Sequence, residues 1–143
     1  MLKEPPPPIE IRISSEKVSF IIVKAREFDA KVAPSEPDSA AHPSDDAELE
    51  VFEDHAGDAT LDELQEAIVD LNDDEVVDLI AIAWVGRGDF DRSDFASARS
   101  LAFERHRPNS APYLIGMPTL GDYLEEGLAE LGYSFSDTDL VRP

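Results

Sequence analysis

The residues best suited to chemistry stand in one short stretch, residues 89–93 (DFDRS), where oxygen-bearing side chains recur at every second position. Oxygen ligands at positions 1, 3 and 5 begin the calcium-binding loop of an EF-hand. That loop also requires glycine at position 6 and glutamate at position 12, where this chain has Asp94 and Ser100. A helix stop followed by a helix cap explains the stretch better than an EF-hand does. A weaker, nonstandard cation site formed by Asp89, Asp91 and Asp94 stays open as an alternative.

Other reactive residue types are absent or scattered. The chain has no cysteine, which excludes disulfides, thiol redox chemistry and cysteine-ligated metals. His42, His55 and His106 show no ligand spacing such as i, i+4. The nucleophile elbow, the P-loop and the GxGxxG motif are all missing from the sequence. We therefore expect a non-enzymatic protein with no cofactor and no catalytic residue, with a carboxylate-based cation-binding protein or metal-dependent enzyme as an alternative.

Charge is the most informative property of the sequence. The chain has 32 acidic and 12 basic residues, a net charge of −20. Residues 29–78 contain 18 of the acidic residues and one basic residue, Lys31, which gives that segment a net charge of −17. A surface this acidic repels phosphate backbones and anionic membranes, so we expect no direct binding to nucleic acid or membrane. It attracts basic partners or cations, unless the charge serves only to keep the protein soluble.

The concentration of charge predicts that the acidic segment, roughly residues 36–78, docks on a basic surface of another protein. The candidate partner-binding residues are Glu48, Glu50, Glu53, Asp54 and Arg87. Arg87 follows the only tryptophan, Trp84, and the pair would form a binding hot spot if both were exposed. Burial of Trp84 in the core is favoured instead. The alternative function is a nucleic-acid mimic that blocks a DNA- or RNA-binding protein, which requires carboxylates fixed on rigid helices.

Apolar residues recur at three- and four-residue steps, which predicts an all-α bundle of about five helices. Helix 1 is expected over residues 15–32. A capping box at Thr60–Glu63 begins helix 2, and a second box at Asn72–Glu75 begins helix 3, so these two helices are expected to form a tight hairpin. Helix 3 is apolar on nearly every side over residues 76–85, which places it at the centre of the bundle.

Glycine and the capping residues mark where the later helices end and begin. Gly86 or Gly88 is expected to end helix 3, because glycine adopts a left-handed conformation at little cost. Asp91 or Ser93 is expected to cap helix 4. A short helical turn and a final helix that ends at Gly132 complete the domain.

The expected organisation is a single helical domain over residues 15–132, with a long acidic loop at residues 33–59 between helices 1 and 2. Residues 1–14 form a proline-rich leader that ends in a possible short strand, and residues 133–143 form a tail. The first residues have no apolar signal segment, and we therefore expect a cytoplasmic protein.

Alternating isoleucines at residues 9–13 have the period of a strand. They suggest a two-stranded β ribbon with residues 48–52, where Leu49 and Val51 also alternate with acidic residues. The same isoleucines suggest pairing with a second copy of the chain, so a homodimer is a further expectation that the sequence leaves open.

Four strings in the chain, taken together, resemble a known family: ISSEKVSFIIVKAREFDAKV, PSDDAELEVFEDH, AWVGRGDFD and DYLEEGLAELG. The family is a bacterial one of short acidic helical proteins, a domain of unknown function. The resemblance covers about residues 13–132. It implies a bacterial, intracellular, mostly helical protein and brings no known activity, cofactor or catalytic residue, so only the fold expectation carries over.

Overall fold

Six α-helices make up most of the chain that the structure describes. The structure is a computed structural model, and it describes residues 7–32, 59–106 and 110–135. The helices are α1 (Ser15–Val32), α2 (Ala59–Val69), α3 (Asp73–Arg87), α4 (Phe95–His106), α5 (Ser110–Ile115) and α6 (Leu120–Glu130), with a 3-10 turn at Arg92–Asp94 before α4. These residues contain no β-strand, so the all-α prediction is confirmed. The predicted acidic loop lies outside the described residues, except for Ala59.

Helix α3 lies at the centre of the fold, as its sequence predicts. Every residue from 76 to 85 is buried. Helices α6 and α4 pack along α3, while α1 packs against α6 and α2. Burying an aliphatic side chain contributes about 1.5–3 kcal/mol, so this helix is the largest apolar contribution to the core. Even so, no helix within the described ranges has both the length and the apolar character needed to cross a bilayer.

The junction between α2 and α3 confirms one prediction and overturns another. The Glu75 backbone N–H donates to Asn72 Oδ1 (2.8 Å), and the Asn72 N–H donates to Glu75 Oε1 (2.9 Å), which is the predicted capping box. Helix α2 begins at Ala59, one residue before the predicted cap at Thr60. The predicted tight hairpin is wrong, because α2 makes its main contacts with α1 and α5 and not with α3. The extended backbone of Asn72 turns the chain away before α3 begins.

Two glycines near the end of α3 have different tasks. Gly88 ends the helix in the left-handed conformation (φ 96°), which resolves the choice between Gly86 and Gly88. Gly86 stays in the helix, where a Cβ atom would lie 1.7 Å from the backbone oxygen of Tyr123 in α6. On the other side of this crossing, a Cβ atom on Gly127 would lie 2.1 Å from the Ile82 backbone oxygen. The α3 and α6 backbones therefore approach as closely as only glycine allows.

The segment before α1, residues 7–14, is irregular and contains no strand. The Ile9 N–H donates to the Leu131 carbonyl oxygen (2.9 Å), and the Tyr133 hydroxyl donates to the Ile9 carbonyl oxygen (2.8 Å). Ile9 thus pairs with the residues just after α6, whereas the Arg12 N–H donates to Asp78 in α3, and the prediction of a strand there is wrong. Residues 48–52, the other half of the predicted ribbon, lie outside the described residues.

The different roles of Gly86 and Gly88 predict different losses of stability when each is replaced by alanine. Gly86→Ala should lower the free energy of unfolding by about 3 kcal/mol, because the new Cβ meets backbone and not a flexible side chain. Gly88→Ala should lower it by only about 1–2 kcal/mol, the strain of a left-handed alanine, since open space surrounds that position. Denaturant titration of both variants measures the difference. Equal losses would contradict the close approach of α3 and α6.

Candidate functional site

Helix α2 carries a row of carboxylates on its outer side. Asp62, Glu66 and Asp70 follow at four-residue steps along α2 and the turn after it, and all three are exposed. The opposite side of α2 is buried in the core. None of the three carboxylates forms an ion pair with a residue in the described ranges. We call these three residues the α2 acidic stripe.

An open groove of about 340 Å³ lies beside the stripe, between the first half of α1 and the end of α2. Its floor is apolar and its rim carries the carboxylates of Glu16 and Asp70. Phe20 is 38% exposed, which is unusual for so large an apolar side chain. The floor consists of Phe20, Ile21, Ala67 and Leu71. We call this feature the α1–α2 groove.

The lysines near the groove are occupied by acidic partners. Lys17 Nζ lies 2.6 Å from Glu75 Oε2, and this hydrogen bond, with that from the Asn72 backbone, holds the pKa of Glu75 below its usual range. Lys24 Nζ lies 2.9 Å from Glu63 Oε1 and 5.6 Å from the centre of the Phe20 ring. These contacts neutralise the local positive charge, so the groove and the stripe present an acidic edge.

The structure separates the residues that were predicted to bind a partner. Glu48, Glu50, Glu53 and Asp54 lie outside the described residues. Arg87 is described and binds its neighbour Asp89, with Nη2 at 2.6 Å and Nε at 2.9 Å from Oδ2. Burial opposes the charged form of Arg87, but the hydrogen bonds and charge interactions with Asp89 and Tyr113 together outweigh burial and raise the pKa of Arg87. The guanidinium charge is therefore balanced within the chain.

The three aspartates of the nonstandard cation site have separate roles. Asp89 binds Arg87, while Asp91 caps the 3-10 turn by accepting from the Ser93 N–H (3.1 Å) and from Ser93 Oγ (2.7 Å). Asp94 is exposed at the end of that turn. Among the described residues, no three acidic or histidine side chains converge where they would hold a metal ion. The residues between α3 and α4 therefore end α3 at Gly88 and cap the 3-10 turn at Asp91.

Trp84 belongs to the core, as predicted. It is 4% exposed, and its indole Nε1–H donates to the Tyr113 hydroxyl at 2.8 Å. Phe90 stacks against it at 5.9 Å between ring centres, and His106 packs edge-on at 5.5 Å. The ring is enclosed on several sides, so it does not form an exposed hot spot with Arg87.

Asp78 is a buried charge within the apolar run of α3, and the sequence analysis does not predict a role for it. Its side chain is 0% exposed. Arg12 donates from its backbone N–H to Oδ2 and from Nη2 to Oδ1, both at 2.8 Å. Arg99 donates from Nε to Oδ1 at 2.8 Å and from Nη2 to Oδ2 at 2.9 Å. Burial alone would raise the pKa of Asp78, but the hydrogen bonds from Arg99 and Arg12 outweigh it and hold that pKa below its usual range.

Asp29 in α1 is a second titratable residue that the sequence analysis missed. It accepts a hydrogen bond from the backbone of Thr119, at the start of α6. Thr119 has a left-handed backbone (φ 55°) and makes no side-chain cap of its own, and the bond from Asp29 ties α1 to the residue before α6. Burial raises the pKa of Asp29 to about 6, and repulsion from Asp122 adds to the rise.

The fold is that of a small all-α domain with an acidic outer helix. The chain belongs to the DUF3775 family, proteins of unknown function, whose family model matches residues 61–133, about half of the chain. The match runs from α2 to the residues just after α6, a narrower range than the resemblance over residues 13–132 implied. Searches of curated proteins and of solved structures found no match.

The buried ion cluster predicts a large difference between two aspartates that both bind arginine. Asp78→Asn should lower the free energy of unfolding at neutral pH by about 3 kcal/mol, because two guanidinium groups lose their shared buried acceptor. Asp89→Asn is the matched control and should change it by less than about 1 kcal/mol, since its ion pair with Arg87 is exposed. Denaturant titration measures both.

The pH dependence of the same variant provides a second check. The folded pKa of Asp78 is lowered, so its contribution is present above its ordinary pKa and is lost as pH falls below that value. The difference in stability between the native chain and Asp78→Asn should therefore shrink in acid. A difference that is the same in acid and at neutral pH would contradict the buried ion cluster.

Asp29 predicts the opposite pH dependence. Its folded pKa of about 6 lies above its ordinary 3.8, so the native state binds the proton more tightly than the unfolded chain. The resulting stabilisation is complete below the ordinary pKa and is lost as pH rises through about 6. Asp29→Asn keeps an oxygen for the Thr119 N–H and carries no charge. Relative to this variant, the native chain should lose about 1–3 kcal/mol between acid and neutral pH; parallel pH profiles would refute the assignment.

Proposed function

We propose that this protein is a non-enzymatic, cytoplasmic binding or regulatory protein whose acidic surface docks on a basic surface of another protein. The observation that carries the proposal is an unequal use of charge. Six lysine and arginine side chains of the described residues form ion pairs within the chain, while the α2 acidic stripe has no counter-ion among the described residues.

Six basic side chains of the described residues form ion pairs. Arg12 and Arg99 share Asp78, and Arg26 binds Asp122 and Glu125, each at 2.6 Å. The other three are Lys17, Lys24 and Arg87. Because these contacts use positive charge to join parts of the fold, the excess of acidic residues is left on the outside.

The stripe has a cost that the fold itself does not offset. Like charges at i, i+4 destabilise a helix by about 0.2–0.5 kcal/mol for each pair, and the stripe has two such pairs, Asp62 with Glu66 and Glu66 with Asp70. A basic partner would remove this repulsion by supplying the missing counter-ions. Charge complementarity of this kind gives partner selectivity and fast association.

The stripe continues, in sequence, the acidic loop that precedes α2. The predicted partner-binding residues Glu48, Glu50, Glu53 and Asp54 belong to that loop, and residues 29–78 as a whole have a net charge of −17. We propose that the loop and the stripe act on the same basic partner. On this proposal the stripe, held on a rigid helix, sets the orientation of binding.

The proposal is tested with two triple variants that change the net charge equally. Asp62→Asn, Glu66→Gln and Asp70→Asn together neutralise the stripe. Glu104→Gln, Glu126→Gln and Glu130→Gln together neutralise exposed carboxylates on α4 and α6. The native chain should capture a defined partner from cell lysate at about 50 mM salt and release it at about 1 M, because screening weakens exposed charge pairs. The stripe variant should retain at least about fivefold less partner than the control variant.

Three results would refute this function. Capture of the same partner at both salt concentrations would show that charge does not drive binding. Equal losses in the two triple variants would show that only net charge matters. Displacement of the partner by duplex DNA would point to a nucleic-acid mimic instead.

A further inference from the structure

We infer that the α1–α2 groove binds one amphipathic basic helix of the partner, with apolar side chains on the groove floor and lysine or arginine side chains against its rim. This inference rests on the proposed function and deepens it, because it names the chemistry of the segment that docks. The observation that supports the inference is that the apolar floor of the α1–α2 groove lies beside carboxylates that have no ion pair among the described residues.

The floor offers apolar surface that the fold leaves open to water. Phe20 is one of three large apolar residues exposed in the described ranges, with Val69 and Phe103, and it is the one that lies in the groove. The volume of about 340 Å³ lies at the lower end of the range of ligand pockets, about 300–1,000 Å³. The groove therefore suits a few aliphatic side chains on one face of a helix, the pattern by which amphipathic helices occupy apolar grooves.

The rim determines the charge of the occupant. Glu16 and Asp70 border the groove, and Glu66 continues the same acidic edge one helical turn away. Lys17, the one lysine that lines the groove, is bound to Glu75 at 2.6 Å and so does not offset these carboxylates. Cationic side chains on the partner would lie along this acidic edge, which favours a basic segment.

The same rim disfavours acidic occupants from this chain. Residues 33–58 contain nine acidic residues and no lysine or arginine, so the acidic loop is repelled from the groove. A second copy of the chain has a net charge of −20 and is repelled as well. Charge complementarity thus points to a basic partner rather than to self-association at this face.

The experiment uses two synthetic, fluorescently labelled peptides of about 14 residues, roughly four helical turns. The first has leucine at helical i, i+3 and i+4 spacing and lysine elsewhere. The second has glutamine in place of each leucine, so the charge is the same. Fluorescence anisotropy against the full chain should give a Kd at least about tenfold lower for the leucine peptide, because only that peptide can bury apolar side chains.

Two substitutions test the groove, and a third is the control. Phe20→Ala removes apolar floor, and Ala67→Gln fills the groove without changing charge. Each should raise the Kd of the leucine peptide at least about fivefold. Phe103→Ala removes another exposed aromatic ring, on α4 and outside the groove, and should change the Kd by less than about twofold. Thermal unfolding of each variant confirms that it is folded at the temperature of the titration.

The outcomes separate the groove from the proposed function. Equal binding of the two peptides, or unchanged binding by Phe20→Ala and Ala67→Gln, would overturn the groove; weaker binding by the stripe variant would then still support the acidic docking function. Loss of binding by the groove variants with none by the stripe variant would overturn the acidic rim and, with it, the proposed function. A dimer in sedimentation that Phe20→Ala dissociates would assign the groove to a second copy and overturn the inference.

Discussion

One buried carboxylate determines how three parts of this molecule meet. Asp78 lies in the middle of the most apolar helix, where an unpaired charge would be very unfavourable. Its two oxygens are satisfied by Arg12, which precedes α1, and by Arg99, which lies on α4. Because both guanidinium groups stay partly exposed, only the acceptor loses its hydration fully. The contacts are directional, so they hold the segment before α1 and helix α4 at defined positions on α3, which apolar packing alone does not do.

The contacts of α1 show that the folding unit is larger than the matched family region. The family match begins at residue 61, so it excludes both Arg12 and α1. Yet Arg12 supplies half of the partners of Asp78, and Arg26 in α1 binds Asp122 and Glu125 of α6. Asp29, also in α1, accepts a hydrogen bond from the backbone of Thr119, the residue before α6. Residues 61–133 alone would leave these groups without their partners, so α1 is part of the same domain.

The sequence predicts the helices well because their signals are local. The bounds of α1 and the burial of residues 76–85 follow from periodicity, and the start of α3 follows from the Asn72–Glu75 capping box. The prediction of a strand at residues 9–13 is wrong. The same alternation of apolar and polar residues arises when an irregular segment packs every second side chain against helices. The choice between Gly86 and Gly88 depends on where α6 crosses α3. Such a crossing has no local signature in the chain.

The sequence predicts only part of the candidate site, because the contacts that define the rest join residues far apart in the chain. Composition identifies the acidic segment, but which acidic side chains lack an ion pair becomes known only from the contacts in the folded structure. Arg12 and Asp78 are 66 residues apart, and no periodic pattern connects them. Phe20 lies off the apolar stripe of α1, so it is recognised as part of a groove only when α2 is placed beside it.

The charges that stabilise the fold are different from the charges that are proposed to bind a partner. The contacts around Asp78 are partly withdrawn from solvent, where dissolved ions screen them little, whereas the α2 acidic stripe is open to water and is screened strongly. Moderate salt should therefore act on docking far more than on folding. The acidic excess then places little demand on the core, since α3 and its neighbours supply the apolar burial, and the six paired basic side chains connect parts of the fold. A chain built in this way can keep the α2 acidic stripe on an outer face, because the core is stable enough to tolerate the repulsion of about 0.2–0.5 kcal/mol for each pair of like charges.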